Sequence, residues 1–179
     1  MILNDTIALL RQHESRAEAG REAAILAEFF PFIAAYPDCL SRSCLEGHLT
    51  ASAWVVDAER TRVLLTHHRK LNLWIQLGGH ADGEADLLAA ALREVREESG
   101  LTRVRAVSAE VFDVDRHRIP ARKTEPEHWH FDVRFLIEAD PAEPVVVSDE
   151  SHDVAWVPLA DVTRLNAEDS VARMVRKTR

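Results

Sequence analysis

Three glutamates near the middle of the chain, Glu94, Glu97 and Glu98, stand at positions i, i+3 and i+4 of a segment rich in helix formers. On an α-helix this spacing places the three carboxylates on adjoining positions of one face, where each like-charged pair costs about 0.2–0.5 kcal/mol. Mg²⁺ or Mn²⁺ would offset the repulsion, because these ions prefer carboxylate oxygens together with water and phosphate. The pattern therefore indicates a divalent metal site. The alternative is a solvated acidic helix with Arg–Glu pairs.

The segment that contains these glutamates resembles the signature of the Nudix hydrolases, G-x5-E-x7-R-E-U-x-E-E-x-G-U, in which U is a bulky aliphatic residue. One position departs from it, because Ala85 stands where the signature has its first glutamate and Glu84 lies one residue earlier. In the family that glutamate mainly supports the geometry of the loop and helix, so the departure does not touch the metal cluster. The residues that match are Gly79, Arg93, Glu94, Val95, Glu97, Glu98, Gly100 and Leu101.

The resemblance implies a metal-dependent pyrophosphohydrolase that cleaves the diphosphate of a nucleoside diphosphate linked to another moiety. Mg²⁺ or Mn²⁺ would neutralise the diphosphate and activate the attacking water. The resemblance implies Glu97 and Glu98 as the main metal ligands, the Gly78 carbonyl as a further ligand, and Glu94 as a ligand or as the group that orients the water. It also implies that Arg93 holds the carboxylates in place.

A further glutamate precedes a W-V-P strand in many members of the family, where it is a metal ligand or a general base. Glu150 has this place in the present chain, six residues before Trp156. The resemblance therefore implies a catalytic role for Glu150. The alternative is an ordinary carboxylate of a surface loop.

Polar and apolar residues alternate along a predicted strand that starts at His128. On a strand this alternation places His128, His130, Asp132 and Arg134 on one face. Because paired histidines are uncommon on solvated faces, we expect this face to line a substrate cleft; solvent is the alternative.

Two further residues are candidates for contact with the substrate's phosphates. His80 directly follows the glycine pair, and Arg69 lies in a basic loop before the next predicted strand. A structural loop histidine and an exposed hairpin end are the respective alternatives. The sequence does not identify the substrate, since selectivity in the family lies in loops outside the signature, here residues 58–72 and 115–127.

Two other functions are compatible with the fold that the resemblance implies. A non-catalytic nucleotide sensor or regulator would usually have lost signature carboxylates, which this chain keeps. Chemistry like that of isopentenyl-diphosphate isomerase on the same scaffold needs a catalytic cysteine after a strand and an additional set of metal-binding histidines, whereas Cys39 and Cys44 precede the domain. A histidine-assisted metal site of Cys39, Cys44 and His48 is an alternative for these cysteines, but the spacing matches no standard zinc pattern, and we expect two reduced thiols.

The elements that must position these residues follow the order α-α, β-rich, one central helix, β-rich, α. This order predicts an α/β fold with mixed strands, and the resemblance implies a Nudix-type α/β/α sandwich with an N-terminal helical extension. We expect the extension at residues 1–46 and the Nudix domain at 47–179. The extension should break at Gly20, and Pro31 should end or kink its second helix. We expect it to form a dimer interface or to cover the sheet.

The pattern of apolar residues gives approximate bounds for the other elements. The central helix should run from Asp86 to Ser99 and end at Gly100, and the glycine pair before it should break the chain. Strands are predicted at 52–56, 62–66, 74–77, 104–114, 128–138, 144–147 and 154–157, and helices at 159–165 and 169–177.

The composition excludes several classes of protein. The 179 residues carry 22 Lys and Arg against 30 Asp and Glu, a formal net charge of −8. We therefore expect a small nucleotide as the partner and no long nucleic acid, whose phosphates need clustered cations. No apolar run approaches the ~20 residues of a membrane span, and the first residues do not form a secretory signal. These features predict a cytoplasmic protein without a membrane partner.

Overall fold

The computed structural model describes residues 2–121 and 125–178. In this part of the chain five helices accompany eight strands. The helices are α1 (Ile2–His13), α2 (Arg21–Ala35), α3 (Leu87–Ser99), α4 (Val162–Leu165) and α5 (Asp169–Lys177). The strands are β1 (Gly47–Val56), β2 (Arg62–His68), β3 (Leu73–Ile75), β4 (Leu77–His80), β5 (Val104–Ala106), β6 (Asp113–Ile119), β7 (His128–Ala139) and β8 (Ser151–Pro158).

The eight strands form one hydrogen-bonded sheet, with the order β3-β2-β1-β7-β5 along its main path. Beside this path, β4 pairs with β1, β6 pairs with β7, and β8 pairs with β2. A mixed sheet with helices confirms the predicted α/β class, and the two N-terminal helices precede the strands as expected. The proposed domain boundary between residues 46 and 47 stays a prediction.

The chain folds into two compact units that alternate along the sequence. The first unit comprises Met1–Ala51, Gly79–Ala90 and Ala109–Phe135. The second unit comprises Ser52–Gly78, Ala91–Ser108 and Leu136–Arg179. Strands β1, β4 and β7 and helix α3 each pass from one unit into the other, so neither unit is a continuous stretch of sequence.

In the first unit the N-terminal helices bury an apolar face. Gly20, with a φ of +94°, separates α1 from α2 as predicted. Phe32 of α2 stacks on Phe131 of β7 with ring centroids 3.9 Å apart, so α2 covers this part of the strand. Pro31 does not end α2, which continues to Ala35. Its ring lies on the exposed side of the helix, and packing of the opposite side outweighs the one backbone hydrogen bond that proline removes.

Helix α3 begins and ends where the sequence indicates. The side chain of Asp86 accepts a hydrogen bond from the Ala89 N–H at 3.0 Å and so caps the N-terminus. At the other end Gly100, with a φ of +70°, donates its N–H to the Arg96 carbonyl at 2.9 Å. This left-handed residue is the helix C-terminus predicted from the glycine.

The region before α3 differs from the prediction. The strand predicted at 74–77 is two strands, β3 and β4, with Gln76 between them. The glycine pair does not break the chain, because Gly78 and Gly79 both lie within β4. Glycine allows the backbone of β4 to approach that of β1 closely here, since a Cβ at Gly78 would lie 2.6 Å from the Ser52 Cα.

The prediction of one strand at 104–114 is also wrong, because residues 107–112 separate β5 from β6. Both strands pair with β7: Ala106 is opposite Ile137, and Asp113 is opposite Arg134. Between these two pairs lie six residues on one side, 107–112, and only two on the other, Phe135 and Leu136, so the surplus residues leave the ladder. No glycine or proline marks this interruption.

Three smaller differences concern loops and helix starts. Residues 144–147, predicted as a strand, are irregular, with the Val146 N–H donated to the Ser99 carbonyl at 2.7 Å. The selectivity loop predicted at 115–127 begins as part of β6, and its residues 122–124 lie outside the described part of the chain. Of the C-terminal helices, α5 matches its prediction, whereas α4 starts three residues later than expected, at Val162.

Candidate functional site

The three glutamates of α3 lie in the second unit at the edge of a buried helix face. Val95 is fully buried, and Glu98 is 9% exposed. The side chain of Glu94 is 15% exposed and that of Glu97 is 61% exposed. The three carboxylates therefore differ in burial: Glu98 is the most buried and Glu97 the most exposed.

Glu98 is fixed by the backbone of β4. Its Oε2 accepts a hydrogen bond from the Gly78 N–H at 2.8 Å. Because the Ser52 backbone crowds the position where a Cβ would lie, only glycine lets β4 hold this N–H in place. The structure thus brings Glu98 and Gly78 together through the Gly78 N–H, and the predicted role of the Gly78 carbonyl as a metal ligand stays a prediction.

The surroundings of Glu98 raise the pKa of its carboxyl to about 7. Burial is the largest cause, and the negative charges of Glu94, Glu150 and Glu97 add to it, against the Gly78 hydrogen bond. A divalent cation among these oxygens would favour the ionised form. This donor set of carboxylates and a backbone carbonyl fits Mg²⁺ or Mn²⁺.

Arg93 lies beside two of the glutamates. Its guanidinium is 2.7 Å from Glu94 Oε1 and 3.8 Å from Glu97 Oε1. These contacts bring Arg93 to two of the carboxylates that it is predicted to hold in place, and the role itself stays a prediction. One arginine does not neutralise the full set, because Glu98 and Glu150 add two further carboxylates.

Glu150 lies in an exposed loop just before β8. Its carbonyl accepts the Arg69 N–H at 2.9 Å, and the Arg69 guanidinium donates to the Ser151 carbonyl at 2.8 Å. The structure brings Glu150 near enough to Glu98 for its charge to raise the pKa of that carboxyl. Arg69, predicted to contact phosphate, anchors this loop to the end of β2.

Five histidines converge in the first unit, among them His117 of β6, whose ring centroid is 5.4 Å from that of His130. His128 and His130, predicted to share one face of β7, lie beside His80, which follows the glycine pair. His48 of β1 completes the group: its ring centroid is 4.9 Å from that of His80 and 4.7 Å from that of His130. Sequence reasoning did not connect His48 with β7, because the pairing of strands 80 residues apart leaves no local signal.

Asp132 and Arg134, predicted to bind substrate, take part in a buried ion cluster of the first unit. The Arg134 guanidinium contacts Asp132 at 2.8 Å, Asp113 at 3.1 Å and Asp115 at 3.3 Å. Thr50 donates to the other oxygen of Asp132 at 2.9 Å. The three aspartates raise the pKa of Arg134 against the effect of burial. These contacts tie β6 to β7, and a role in substrate binding stays a prediction.

A cavity of about 600 Å³ opens in the first unit between α2 and the β6–β7 pair. Trp129 lines it with the Arg116 guanidinium 4.1 Å from its ring centroid. Aromatic, acidic and basic side chains thus meet in one place. The other lining residues are Ala27, Glu28, Pro31, Phe32, Tyr36, Glu46, Glu127, His128 and Phe131.

Comparison with known families assigns most of the chain. The NUDIX domain family model matches residues 47–178. No curated protein sequence matches the chain. Among the described residues, no helix has the length and apolar character needed to span a membrane.

Several solved structures share the fold. An Ap4A hydrolase from C. elegans in a binary complex has a TM-score of 0.58 at 19% identity, covering 72% of this chain and 93% of its own. The E. coli dihydroneopterin triphosphate pyrophosphohydrolase has a TM-score of 0.56 at 14% identity, covering 72% and 92%. The NUDIX domain of Shewanella oneidensis NrtR, complexed with ADP ribose, has a TM-score of 0.51 at 17% identity, covering 80% and 94%.

Proposed function

Because this chain belongs to the NUDIX family, and so to the hydrolases that act on phosphoric anhydride bonds, we propose a specific reaction for it. The protein is a Mg²⁺- or Mn²⁺-dependent pyrophosphohydrolase that cleaves the diphosphate of a nucleoside diphosphate linked to another moiety. The observation that carries the proposal is the buried Glu98 carboxylate, surrounded by the charges of Glu94, Glu97 and Glu150. Such a group of negative charges is stable when a divalent cation binds among them.

Each residue of the second unit has a proposed role in that reaction. Glu97 and Glu98 hold the metal, with the Gly78 carbonyl as a further ligand. Glu94 is a ligand or orients the attacking water. Arg93 keeps Glu94 and Glu97 in place through the contacts described above. The metal, when bound, neutralises the diphosphate and lowers the pKa of a coordinated water.

Glu150 is proposed as a further ligand or as the general base that accepts a proton from the attacking water. Its exposed position allows it to exchange that proton with solvent. The Arg69 backbone and side chain hold the loop that carries it. In this arrangement Glu150 is the one carboxylate of the group that lies outside α3.

We assign substrate binding to polar residues outside the metal-binding carboxylates. Three of these are histidines that converge in the first unit. The proposed set is His80, His128, His130, Asp132, Arg134 and Arg69. We also propose a cytoplasmic location, a small nucleotide as the partner, no membrane or long nucleic acid partner, and a homodimer as the assembly in which the N-terminal helices take part.

A release assay tests the proposal. Purified protein with Mg²⁺ or Mn²⁺ is given nucleotide sugars, ADP-ribose, dinucleoside polyphosphates and nucleoside triphosphates, and the products are separated by chromatography. We expect turnover of at least one class. Glu98→Gln should lower kcat about 100-fold or more, because even partners of metal ligands contribute 10–100-fold.

Glu168→Gln is the matched control, since this exposed glutamate lies directly before α5 in the second unit and its side chain makes no capping hydrogen bond. It should leave turnover unchanged. Equal activity of Glu98→Gln and the unaltered protein would contradict the metal assignment. Nucleotide binding by calorimetry without turnover of any compound would instead identify a sensor or regulator on the same fold.

A further inference from the structure

A group of imidazole nitrogens in the first unit has the geometry of a metal site. The Nε2 atom of His130 lies 3.1 Å from that of His48 and 3.3 Å from that of His128. One ligand atom from each of these three histidines falls within 4.8 Å of the others. Zn–N bonds of about 2.0–2.1 Å in a tetrahedral site space the nitrogens about 3.3 Å apart. The two separations from His130 Nε2, 3.1 Å and 3.3 Å, match this spacing.

The opposite nitrogens of two rings are held by the backbone. His48 Nδ1 lies 3.4 Å from the Cys44 carbonyl, and His128 Nδ1 lies 2.9 Å from the Pro126 carbonyl. Because a carbonyl only accepts hydrogen bonds, each Nδ1 carries the proton. Each Nε2 then presents a lone pair, which is how proteins prepare histidines to bind a metal.

Counting protons shows that the group is unsatisfied without an ion. The Nε2 lone pairs of His48 and His128 both face Nε2 of His130. A neutral His130 has at most one hydrogen there, and one hydrogen cannot make a full hydrogen bond to two acceptors. A cation bound by all three lone pairs removes the conflict. Burial agrees with this, since His48 is 3% and His128 is 8% exposed.

Two further imidazoles lie beside the three rings. The ring centroid of His80 is 5.2 Å and that of His117 is 5.4 Å from that of His130.

We propose that His48, His128 and His130 bind a transition metal ion of the Zn²⁺ class, separate in donor chemistry from the ion held by the carboxylates of the second unit. Three neutral imidazoles suit Zn²⁺, Co²⁺ or Ni²⁺ and discriminate against Mg²⁺, which prefers oxygen. Three protein ligands leave a fourth coordination position for water or for an oxygen of a bound molecule. The site does not depend on the proposed hydrolysis.

Metal analysis of the whole protein tests this proposal. Chelator-treated protein is incubated with Zn²⁺ in the presence of excess Mg²⁺, dialysed and measured by inductively coupled plasma mass spectrometry. We expect one Zn²⁺ per chain. His130→Ala should lose it, whereas Glu98→Gln and His152→Ala should keep it; His152 is an exposed histidine of β8 in the second unit. Retention by His130→Ala, or loss in Glu98→Gln, would overturn the proposal.

A second measurement on the unaltered chain guards against a variant that fails to fold. Long-range ¹H–¹⁵N spectra of the imidazoles resolve Nδ1 and Nε2 separately. On addition of one equivalent of Zn²⁺ we expect the Nε2 signals of three histidines to move while their Nδ1 atoms stay protonated. Unchanged spectra would reject the site. Co²⁺ should then give the visible absorption of a four-coordinate complex in the unaltered chain.

Discussion

Glu98 combines two opposite influences in one side chain. The Gly78 N–H favours its ionised form, whereas burial and three neighbouring carboxylates favour the protonated form. The balance leaves the pKa at about 7, so the ion-free protein is destabilised by this carboxylate near neutral pH. In the proposed role of Glu98 as a metal ligand, relief of this cost would contribute to the binding energy of the cation and not to the stability of the metal-free fold.

This conflict predicts a pH dependence of stability in the metal-free protein. The folded pKa of Glu98 is about 7, against 4.5 for an ordinary glutamate. The folded protein therefore keeps a proton that the unfolded chain loses, and stability falls as the pH rises from about 4.5 to 7. The loss should be on the order of 2–3 kcal/mol. Urea unfolding with a chelator, compared between the unaltered chain and Glu98→Gln, measures it.

In Glu98→Gln that decrease should be absent, because glutamine does not titrate. Adding Mn²⁺ at pH 8 should restore stability to the unaltered chain and not to the variant. Parallel pH profiles of the two proteins would contradict the assigned cause.

The Gly78 position gives a second prediction at this scale. In Gly78→Ala the new Cβ would meet the Ser52 backbone, and β4 must leave the position in which its N–H meets Glu98. We expect a loss of about 1–3 kcal/mol in stability and a clear fall in metal affinity by calorimetry. Gly83→Ala is the control, because Gly83 also has a positive φ of +86° but its Cβ would meet no atom within 4 Å. Equal metal affinity in both variants would refute the role of β4.

Among the elements, β6 and β7 depend on the ion cluster around Arg134. One guanidinium there faces three carboxylates with almost no solvent. Removing only the cation leaves three buried negative charges without the guanidinium that faces them. Loss of one partner should therefore lower the stability of the protein by more than the whole cluster contributes to it.

Arg134→Met should destabilise the protein by about 3–5 kcal/mol. Arg105→Met is the matched control, since Arg105 is 68% exposed in its pair with Glu138 between β5 and β7. Its loss should cost about 0–1 kcal/mol. Urea denaturation followed by circular dichroism compares the two variants. A cost for Arg134→Met no larger than that of the control would show that the aspartates find other compensation.

The sequence predicted the elements whose signals are local. These elements carry their own periodicity or turn residues: helices α3 and α5, the break at Gly20, and the strands around residues 55, 64 and 130. It missed the interruption between β5 and β6 and the placement of the glycine pair in β4. Both features result from pairing with strands that are distant in the sequence. A short stretch of sequence carries no information about such pairing.

The same distinction applies to the candidate sites. The spacing of Glu94, Glu97 and Glu98 on one helix face is a local property, so the pattern revealed it. His48 could not be assigned to the histidines of β7, because 80 residues of chain separate them. Likewise the alternation along β7 predicted a shared face for Asp132 and Arg134, but not that β6 supplies two aspartates to it.

For the whole molecule, the N-terminal helices add five large apolar side chains to the buried residues. Leu10, Ile25, Leu26, Phe29 and Ile33 are each at most 7% exposed. Burying five such side chains is worth about 10 kcal/mol, similar to the total stability of many domains. We infer that this extension is integral to the fold.

Deleting residues 2–35 should therefore abolish cooperative unfolding, because Phe131 loses both aromatic partners. Differential scanning calorimetry and binding of a hydrophobic dye measure the change. A truncated protein with a sharp transition and an unchanged melting temperature would contradict this expectation. Mass determination of the full chain by light scattering, done in parallel, tests the proposed homodimer.

The cavity between α2 and the β6–β7 pair has a consequence for comparing relatives. Part of its wall, including Phe32 and Tyr36, comes from residues before 47, where the match to the family model begins. A substrate assignment that is transferred from a relative sharing only the matched region takes no account of that wall. If the cavity receives part of the substrate, exchanging specificity between relatives requires grafting the helices as well as the loops. The hydrolytic scaffold and the choice of substrate would then evolve independently of each other.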